Sequence, residues 1–217
     1  MKNSFDFSAT EDFDDHIRRS IPQVEEMYRL CHAVTAAFAQ SGSVVIDLGC
    51  STGKFLLETP QRFGVDYIGI DTGKWERGTK ENVTFRNYDI LGAAQNDFFE
   101  PSSVILSLFT LQFLPYAERV EVIERAAEGL VDGGCMIVAE KVHLPDAGLA
   151  EVIERDLIQW KRQGFDDKDI LDKSAQLAVS LRRSPQADLI NVMQKNFSTV
   201  NIIWAHGQFI CAVGVKG

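Results

Sequence analysis

The chain has 217 residues, enough for one domain of ordinary size with a buried core. A hydrophobic share of 45% and a charged share of 24% are those of a soluble globular protein, and no apolar run reaches the length of a membrane span. A net charge of −9 makes it a poor electrostatic match for a phosphate backbone, so direct nucleic-acid binding is not expected. The basic pairs Lys161-Arg162 and Arg182-Arg183 are short and read as solvated helix faces. Cys31, Cys50, Cys135 and Cys211 form no C-x-x-C pair, which argues against a zinc site and for free thiols in a reducing compartment. The first residues carry no apolar stretch of the signal-peptide kind, so a cytoplasmic protein without a metal is expected.

Residues 1–12 are polar and acidic and read as a loose arm. Residues 12–19 read as a short helix stopped near Pro22. Over 22–39, Val24, Met27, Tyr28, Cys31, Val34, Thr35 and Phe38 recur at three- and four-residue intervals, the pattern of an amphipathic helix with Pro22 in its first turn. Together these form a helical cap over 1–40. Strands follow at 43–47, 67–71, 83–87 and 103–109, the last apolar enough to be buried on both faces, with a helix at 53–59 after the first. A helix over 116–130 ends at Asp132-Gly133-Gly134, and a fifth strand spans 135–139. A helical insertion covers 144–194, and 199–204 and 208–215 close the chain as two strands joined by Ala205-His206-Gly207. This order predicts one domain over 1–217, an α/β fold with an open, doubly wound, mostly parallel sheet and an antiparallel terminal strand.

Val44-Val45-Ile46-Asp47-Leu48-Gly49-Cys50-Ser51-Thr52-Gly53 runs from a strand into a glycine-rich turn, and Lys54 opens a helix. Such a junction exposes backbone N–H groups, and without side chains at Gly49 and Gly53 a ligand approaches them closely. The spacing D-x-G-x-x-x-G differs from the G-x-G-x-x-G of dinucleotide enzymes. No glycine stands five residues before Gly53, so it is not a phosphate loop either. The segment resembles the first motif of class I S-adenosylmethionine-dependent methyltransferases. Cys50 has no basic partner nearby in sequence and reads as a small residue lining the turn rather than a nucleophile.

Three carboxylates fall at the carboxyl edge of the expected sheet, where ligands bind in such folds. Asp47 ends the first strand. Asp71, followed by Thr72, ends the second, where a carboxylate accepts two ribose hydroxyls. Asp89, followed by Ile90, lies beyond the third, where a carboxylate accepts from the adenine amine and a backbone N–H donates to the ring. Trp75 reads either as a cover over adenine or as packing at the sheet edge. His143, just past Glu140-Lys141, is a candidate general base.

Arg19-Ser20-Ile21-Pro22, the Asp47–Gly53 turn, Phe109-Thr110-Leu111-Gln112-Phe113-Leu114, Gly129-Leu130-Val131-Asp132-Gly133-Gly134 and Glu140-Lys141 stand in the order found in carboxy-S-adenosylmethionine synthases. From about residue 11 to its end the chain resembles that family. The resemblance implies the class I methyltransferase fold, with S-adenosylmethionine, carboxy-S-adenosylmethionine or S-adenosylhomocysteine as ligand. It also implies a reaction that joins the carboxyl group lost from prephenate to the methyl carbon of the cofactor. In those enzymes the product supplies a carboxymethyl group for modifying wobble uridine in tRNA, and the synthase need not touch RNA. They form homodimers in which the inserted helices help complete the neighbouring site.

Against that family the chain also departs. The arginine of the inserted helices that pairs with the added carboxylate falls at Ser174, and Arg182 and Arg183 lie more than two helical turns further on. A tyrosine two residues after Pro22 is Val24, and an asparagine before Phe109 is Leu108, with Ser107 adjoining. Cofactor contacts are therefore expected from Asp47, Gly49, Cys50, Ser51, Gly53, Asp71, Thr72, Asp89, Ile90, Ser107 and Leu108. Substrate contacts are expected from Arg19, Val24, Ser174 and Arg182. Three functions fit: a synthase relative that makes or binds a modified cofactor, a methyltransferase that positions a small-molecule acceptor, and a non-catalytic nucleoside-binding protein.

Overall fold

Short apolar strands alternating with amphipathic helices bury both faces of a sheet only by layering helices on each side. The computed structural model, which describes residues 12–95, 99 and 101–217, has that arrangement. The arm expected over 1–12 lies, except for Asp12, outside the described residues. The strands are β1 (Val44–Leu48), β2 (Asp66–Asp71), β3 (Val83–Asn87), β4 (Ser102–Leu108), β5 (Leu130–Lys141), β6 (Thr199–His206) and β7 (Phe209–Val215). They form one sheet in the order β3-β2-β1-β4-β5-β7-β6. All neighbours from β3 to β5 pair in parallel, and β7 runs antiparallel between β5 and β6. The doubly wound sheet with an antiparallel last strand is the one the sequence pattern implies.

The helices are α1 (Phe13–Ser20), α2 (Val24–Phe38), α3 (Lys54–Glu58), α4 (Ile90–Gln95), α5 (Tyr116–Gly129), α6 (Ala147–Lys161), α7 (Asp167–Ser180) and α8 (Gln186–Asn196). Strand alternation divides the core in two. Ile46, Leu48, Ile70 and Ile105 pack against Val122 and Ile123 of α5 and Leu189 and Met193 of α8. On the opposite face Val45, Tyr67, Val104 and Ile137 meet Met27 and Cys31 of α2, Leu56 of α3 and Leu157 of α6. Asp12, Asp146 and Asp166 each cap a helix start by accepting a backbone N–H, a device worth about 1 kcal/mol apiece.

Several boundaries move. Helix α2 begins at Val24 rather than Pro22, because Gln23 sits at φ +57 in a turn. Helix α5 stops at Gly129, and Asp132-Gly133-Gly134 lies within β5 as an irregularity rather than before it. Leu130 already pairs with Ser102, and Gly133 at φ +70 donates to the Lys216 carbonyl. The expected insertion also divides. Helix α8 buries Leu189, Val192 and Met193 and belongs to the helical layer, whereas α7 buries no side chain.

The path from α7 back to α8 is tied down by a buried ionic knot. Arg119 of α5 donates to Glu140 at 3.0 Å and to Ser184 Oγ at 2.7 Å through Nη1, and to the Arg182 carbonyl at 2.6 Å through Nη2. Burial dominates at Glu140 and raises its pKa to about 7, against the opposing pull of Arg119. Beside the knot, Gln112 accepts from Lys141 N at 2.7 Å, donates to the Phe109 carbonyl and receives Arg182 N on its own carbonyl. One cluster therefore sets the geometry of β5's end, the turn after β4 and residues 182–184. Arg119→Met strands a buried carboxylate and is expected to cost about 3–5 kcal/mol in urea denaturation, whereas Arg119→Met/Glu140→Leu should recover most of it.

Candidate functional site

At the carboxyl ends of β1, β2 and β4, the sheet opens into a cavity of about 1690 Å³, bounded by α1, α2, α6 and α7. That exceeds the roughly 300–1,000 Å³ typical of a site for one small ligand. Asp47, Gly49, Cys50, Ser51, Asp71, Thr72, Asp89, Ile90 and Leu108 all line it, as do Ser174 and Arg182 on the far side.

The glycine turn is built differently from the reading of its sequence. Its first three N–H groups do not face the ligand space. Gly49 N and Cys50 N donate to the Ile70 carbonyl at 2.7 and 3.1 Å, and Ser51 N donates to Asp71 Oδ2 at 3.0 Å. Arg77 Nε closes the other side by donating to the Ser51 carbonyl at 2.8 Å. The missing side chains make room for protein rather than ligand. A Cβ on Gly49, at φ +79, would collide with Thr110, and one on Gly53, at φ +76, would collide with the Phe85 ring. Gly53 is therefore no part of the cavity wall. Ser51 and Phe109, at φ +47 and +60, hold left-handed conformations that side chains disfavour, a strain of order 1–3 kcal/mol each that clusters at binding sites.

Asp71 is the most heavily used acceptor. Besides Ser51 N it accepts Gly73 N at 2.6 Å and the Trp75 indole N–H at 3.0 Å, both on Oδ1. A carboxylate offers about four acceptor positions, so one remains, and displacement of Trp75 frees a second. Trp75 also packs on Phe13 at 4.9 Å, and Thr52 donates to Asp14 at 3.0 Å, so α1 is latched across the mouth of the turn. Asp89 caps α4 by accepting Gly92 N at 3.0 Å on Oδ1 and lines the cavity. Asp47 is 3% exposed, and burial, then the charge of Asp71, raises its pKa to about 7. Tyr28 faces the same space, its hydroxyl pushed well above its ordinary range by burial and by Asp47.

The opposite wall is cationic. Lys141 Nζ contacts both Glu154 oxygens at 2.9 and 3.0 Å, and Arg183 reaches the same carboxylate at 3.7 Å. Lys161 lies beside them, its pKa lowered by burial and by Lys141. Among the described residues its ammonium makes no hydrogen bond or ion pair, though the charge of Glu154 acts on it. Lys173 is lowered to about 8 by burial and by Lys161. His16 of α1, edge-on to Phe165 at 5.1 Å, is lowered to about 4 by burial, then by Lys173, Arg19 and Lys161. Sequence reasoning missed His16, Tyr28, Lys161 and Lys173. Only the helical phase of α1, α2, α6 and α7 relative to the sheet brings them to one cavity.

Four of the expected contacts lie elsewhere. Val24 is 2% exposed and packs with Ile21 and Met27 in the core, off the cavity, because its place on α2 faces the sheet. Ser107 is also buried away from it, its hydroxyl unpaired, because strand alternation turns it to the side of Ile105 and leaves Leu108 on the cavity. Arg19 pairs with Asp15 and donates to the Gly164 carbonyl at 2.7 Å, clamping α1 to the α6–α7 turn instead of lining the wall. Gly53, as noted, supports Phe85. His143 lines the cavity, its pKa lowered by burial and by Arg183 and Lys141. Among the described residues no group of three or more His, Cys, Asp or Glu is placed to hold a metal ion.

Free acceptor positions on Asp71 and Asp89, a buried carboxylate at Asp47 and a cavity at the sheet's carboxyl edge fit a cationic nucleoside carrying ribose hydroxyls and an exocyclic amine. Fold and site together define a class I methyltransferase-fold transferase that uses S-adenosylmethionine. A family model described as a methyltransferase domain matches residues 21–194. A carboxy-S-adenosyl-L-methionine synthase of Hydrogenovibrio crunogenus is 32% identical over 98% of this chain and 88% of its own length. One of Geobacter metallireducens is 33% identical over 80% of this chain and 75% of its own. In fold, the plantazolicin methyltransferase BpumL, solved with S-adenosylhomocysteine, superposes with a TM-score of 0.64 at 12% identity, over 94% of this chain and 87% of that one. The chain belongs to the carboxy-S-adenosyl-L-methionine synthase family within the class I methyltransferases.

Two outcomes test this geometry. Between pH 3.8, the ordinary value of its carboxyl, and about 7, Asp47 holds in the folded chain a proton that the unfolded chain releases. Stability therefore falls as pH rises through that window, by roughly 4 kcal/mol at its end. Asp47→Asn, which does not titrate, is expected to gain on the parent in Tm from pH 4 to pH 8, and an unchanged difference would refute the assignment. Titration with S-adenosylhomocysteine is expected to shift tryptophan emission as Trp75 leaves Asp71, and Trp75→Phe to abolish that shift.

Proposed function

We propose that this chain makes carboxy-S-adenosylmethionine from S-adenosylmethionine and prephenate. The observation that carries the reading is the continuity of one cavity from the carboxylates at the sheet edge to the cationic wall of Lys141, Lys161, Lys173 and Arg183. A cationic nucleoside suits the first end and an anionic second substrate the other. Asp71 would hold the ribose hydroxyls, Asp89 with Ile90 N the adenine, and Asp47 the positively charged end. Bound S-adenosylmethionine supplies a sulfonium-activated methyl carbon. Leu108 and Phe109, which line the cavity, would wall the reactive end of the cofactor, and α1, latched by Thr52–Asp14 and Phe13–Trp75, would limit water at the mouth.

In this reading the product serves tRNA wobble-uridine modification in the cytoplasm, and the chain pairs with a second copy. Support for pairing comes from Leu149 and Val152 on α6 and Leu171 and Val179 on α7, all exposed. Among the described residues no helix is long and apolar enough to cross a membrane. A second reading, methyl transfer to a small-molecule acceptor, draws on Ser174 at the family's arginine position and on apolar Leu108 in the wall. Mass spectrometry of the nucleoside after incubation with S-adenosylmethionine and prephenate decides between them. A mass gain of one carboxyl group on the cofactor is expected. S-adenosylmethionine or S-adenosylhomocysteine alone would transfer the search to a methyl acceptor.

A further inference from the structure

Lys161 is a cation of the wall, held partly out of water, whose ammonium no described residue pairs with. It ends α6 and lines the cavity. The one carboxylate whose charge acts on it, Glu154, is already shared by Lys141 and Arg183. Withdrawing an ammonium from water without a partner is unfavourable, and setting it near Lys141 and Lys173 adds repulsion. Surface lysines avoid this by turning outward. A lysine held inward beside two others is stabilised when an anion enters, and the cavity has space for one beyond the nucleoside.

The position of the wall agrees. Lys141 sits over the Phe209 ring at 5.6 Å, and Phe209 meets Phe109 edge-on at 6.1 Å. Phe109 follows Leu108 at the end of β4, so a chain of direct contacts leads from the β4 end of the cavity to Lys141. Ser174, also on the cavity, carries no charge with which to bind a carboxylate.

We propose that Lys161, seconded by Lys141, anchors the carboxylate of a small anionic second substrate whose apolar body rests on Phe209. The anchor is thus a lysine on α6 rather than an arginine on α7. This rests on the synthase reading for the identity of the substrate but not for the existence of the anion subsite. Arg182, exposed on the strap after α7, is not needed for it.

Calorimetric titration of prephenate into protein saturated with S-adenosylhomocysteine is the test, run on the parent chain, Lys161→Met, Lys161→Gln and Lys161→Arg. Prephenate is expected to bind the parent, to bind Lys161→Met and Lys161→Gln at least tenfold more weakly, and to bind Lys161→Arg within about threefold of the parent. Affinity for S-adenosylhomocysteine should hold within twofold in all four, which reports that the fold is intact. Equal prephenate affinity in parent and Lys161→Met, or no binding by the parent, would overturn the proposal. Lysine-dependent binding without any carboxylated cofactor would sink the synthase reading and leave the subsite standing. Carboxylated cofactor formed by Lys161→Met at an unchanged KM for prephenate would do the reverse.

Discussion

The end of β2 is the point on which the site hangs. The Ile70 carbonyl takes two successive N–H groups of the glycine turn, and the Asp71 carboxylate takes the third, so the turn is sewn to its neighbouring strand before any ligand arrives. Charge-assisted acceptance by a carboxylate is about twice as strong as a neutral hydrogen bond, which suits a turn whose Ser51 sits in a disfavoured conformation. From this follow the close seat of Thr110 against Gly49, the burial of Phe85 under Gly53 and the stacking of Arg77 over Phe85 at 5.2 Å. Asp71 is thereby the scaffold of the turn, and under the proposed reading the same oxygens would also accept from a ribose.

A second division of labour separates the two ends of the cavity. The nucleoside end is built from strand termini, where β-sheet register fixes positions, and its charges are carboxylates. The far end is built from α6, α7, β5's last residue and the strap at 182–184, and its charges are mainly lysine and arginine. The Arg119–Glu140 knot joins the two, since it fixes the strap and β5 at once. Under the proposed reading, specificity for a second substrate would be set on the helical side, apart from the strand termini at the nucleoside end.

Much of this was legible in the chain. Strand alternation, the glycine turn and three carboxylates at successive strand ends specify the sheet and its ligand edge, because period and turn chemistry are local. What escaped depends on distance. Whether Gly49 serves a ligand or Thr110 is decided 61 residues away. Val24 and Ser107 were assigned by resemblance, yet helix phase and strand alternation turn them into the core. Arg19 was placed near substrate by its motif, but an acceptor 145 residues on, the Gly164 carbonyl, claims it. The converse holds for His16 and Lys161, which form no motif and acquire meaning only from facing one another across a cavity. Helix α4 was not anticipated because six residues carry too little periodicity to announce it.

Helix α7 has capping at Asp166 but no buried side chain, and Leu171 and Val179 stand open to solvent. Its free energy of local opening therefore lies near the bottom of the range within the molecule, far below that of the sheet. Amide protons of α7 should exchange orders of magnitude faster than those of β4 or β5. Under the proposed synthase reading, a wall that opens on its own while the strands at the nucleoside end stay closed would let the second substrate and its product pass a retained cofactor. On that reading the order of binding would follow from the uneven stability of the fold.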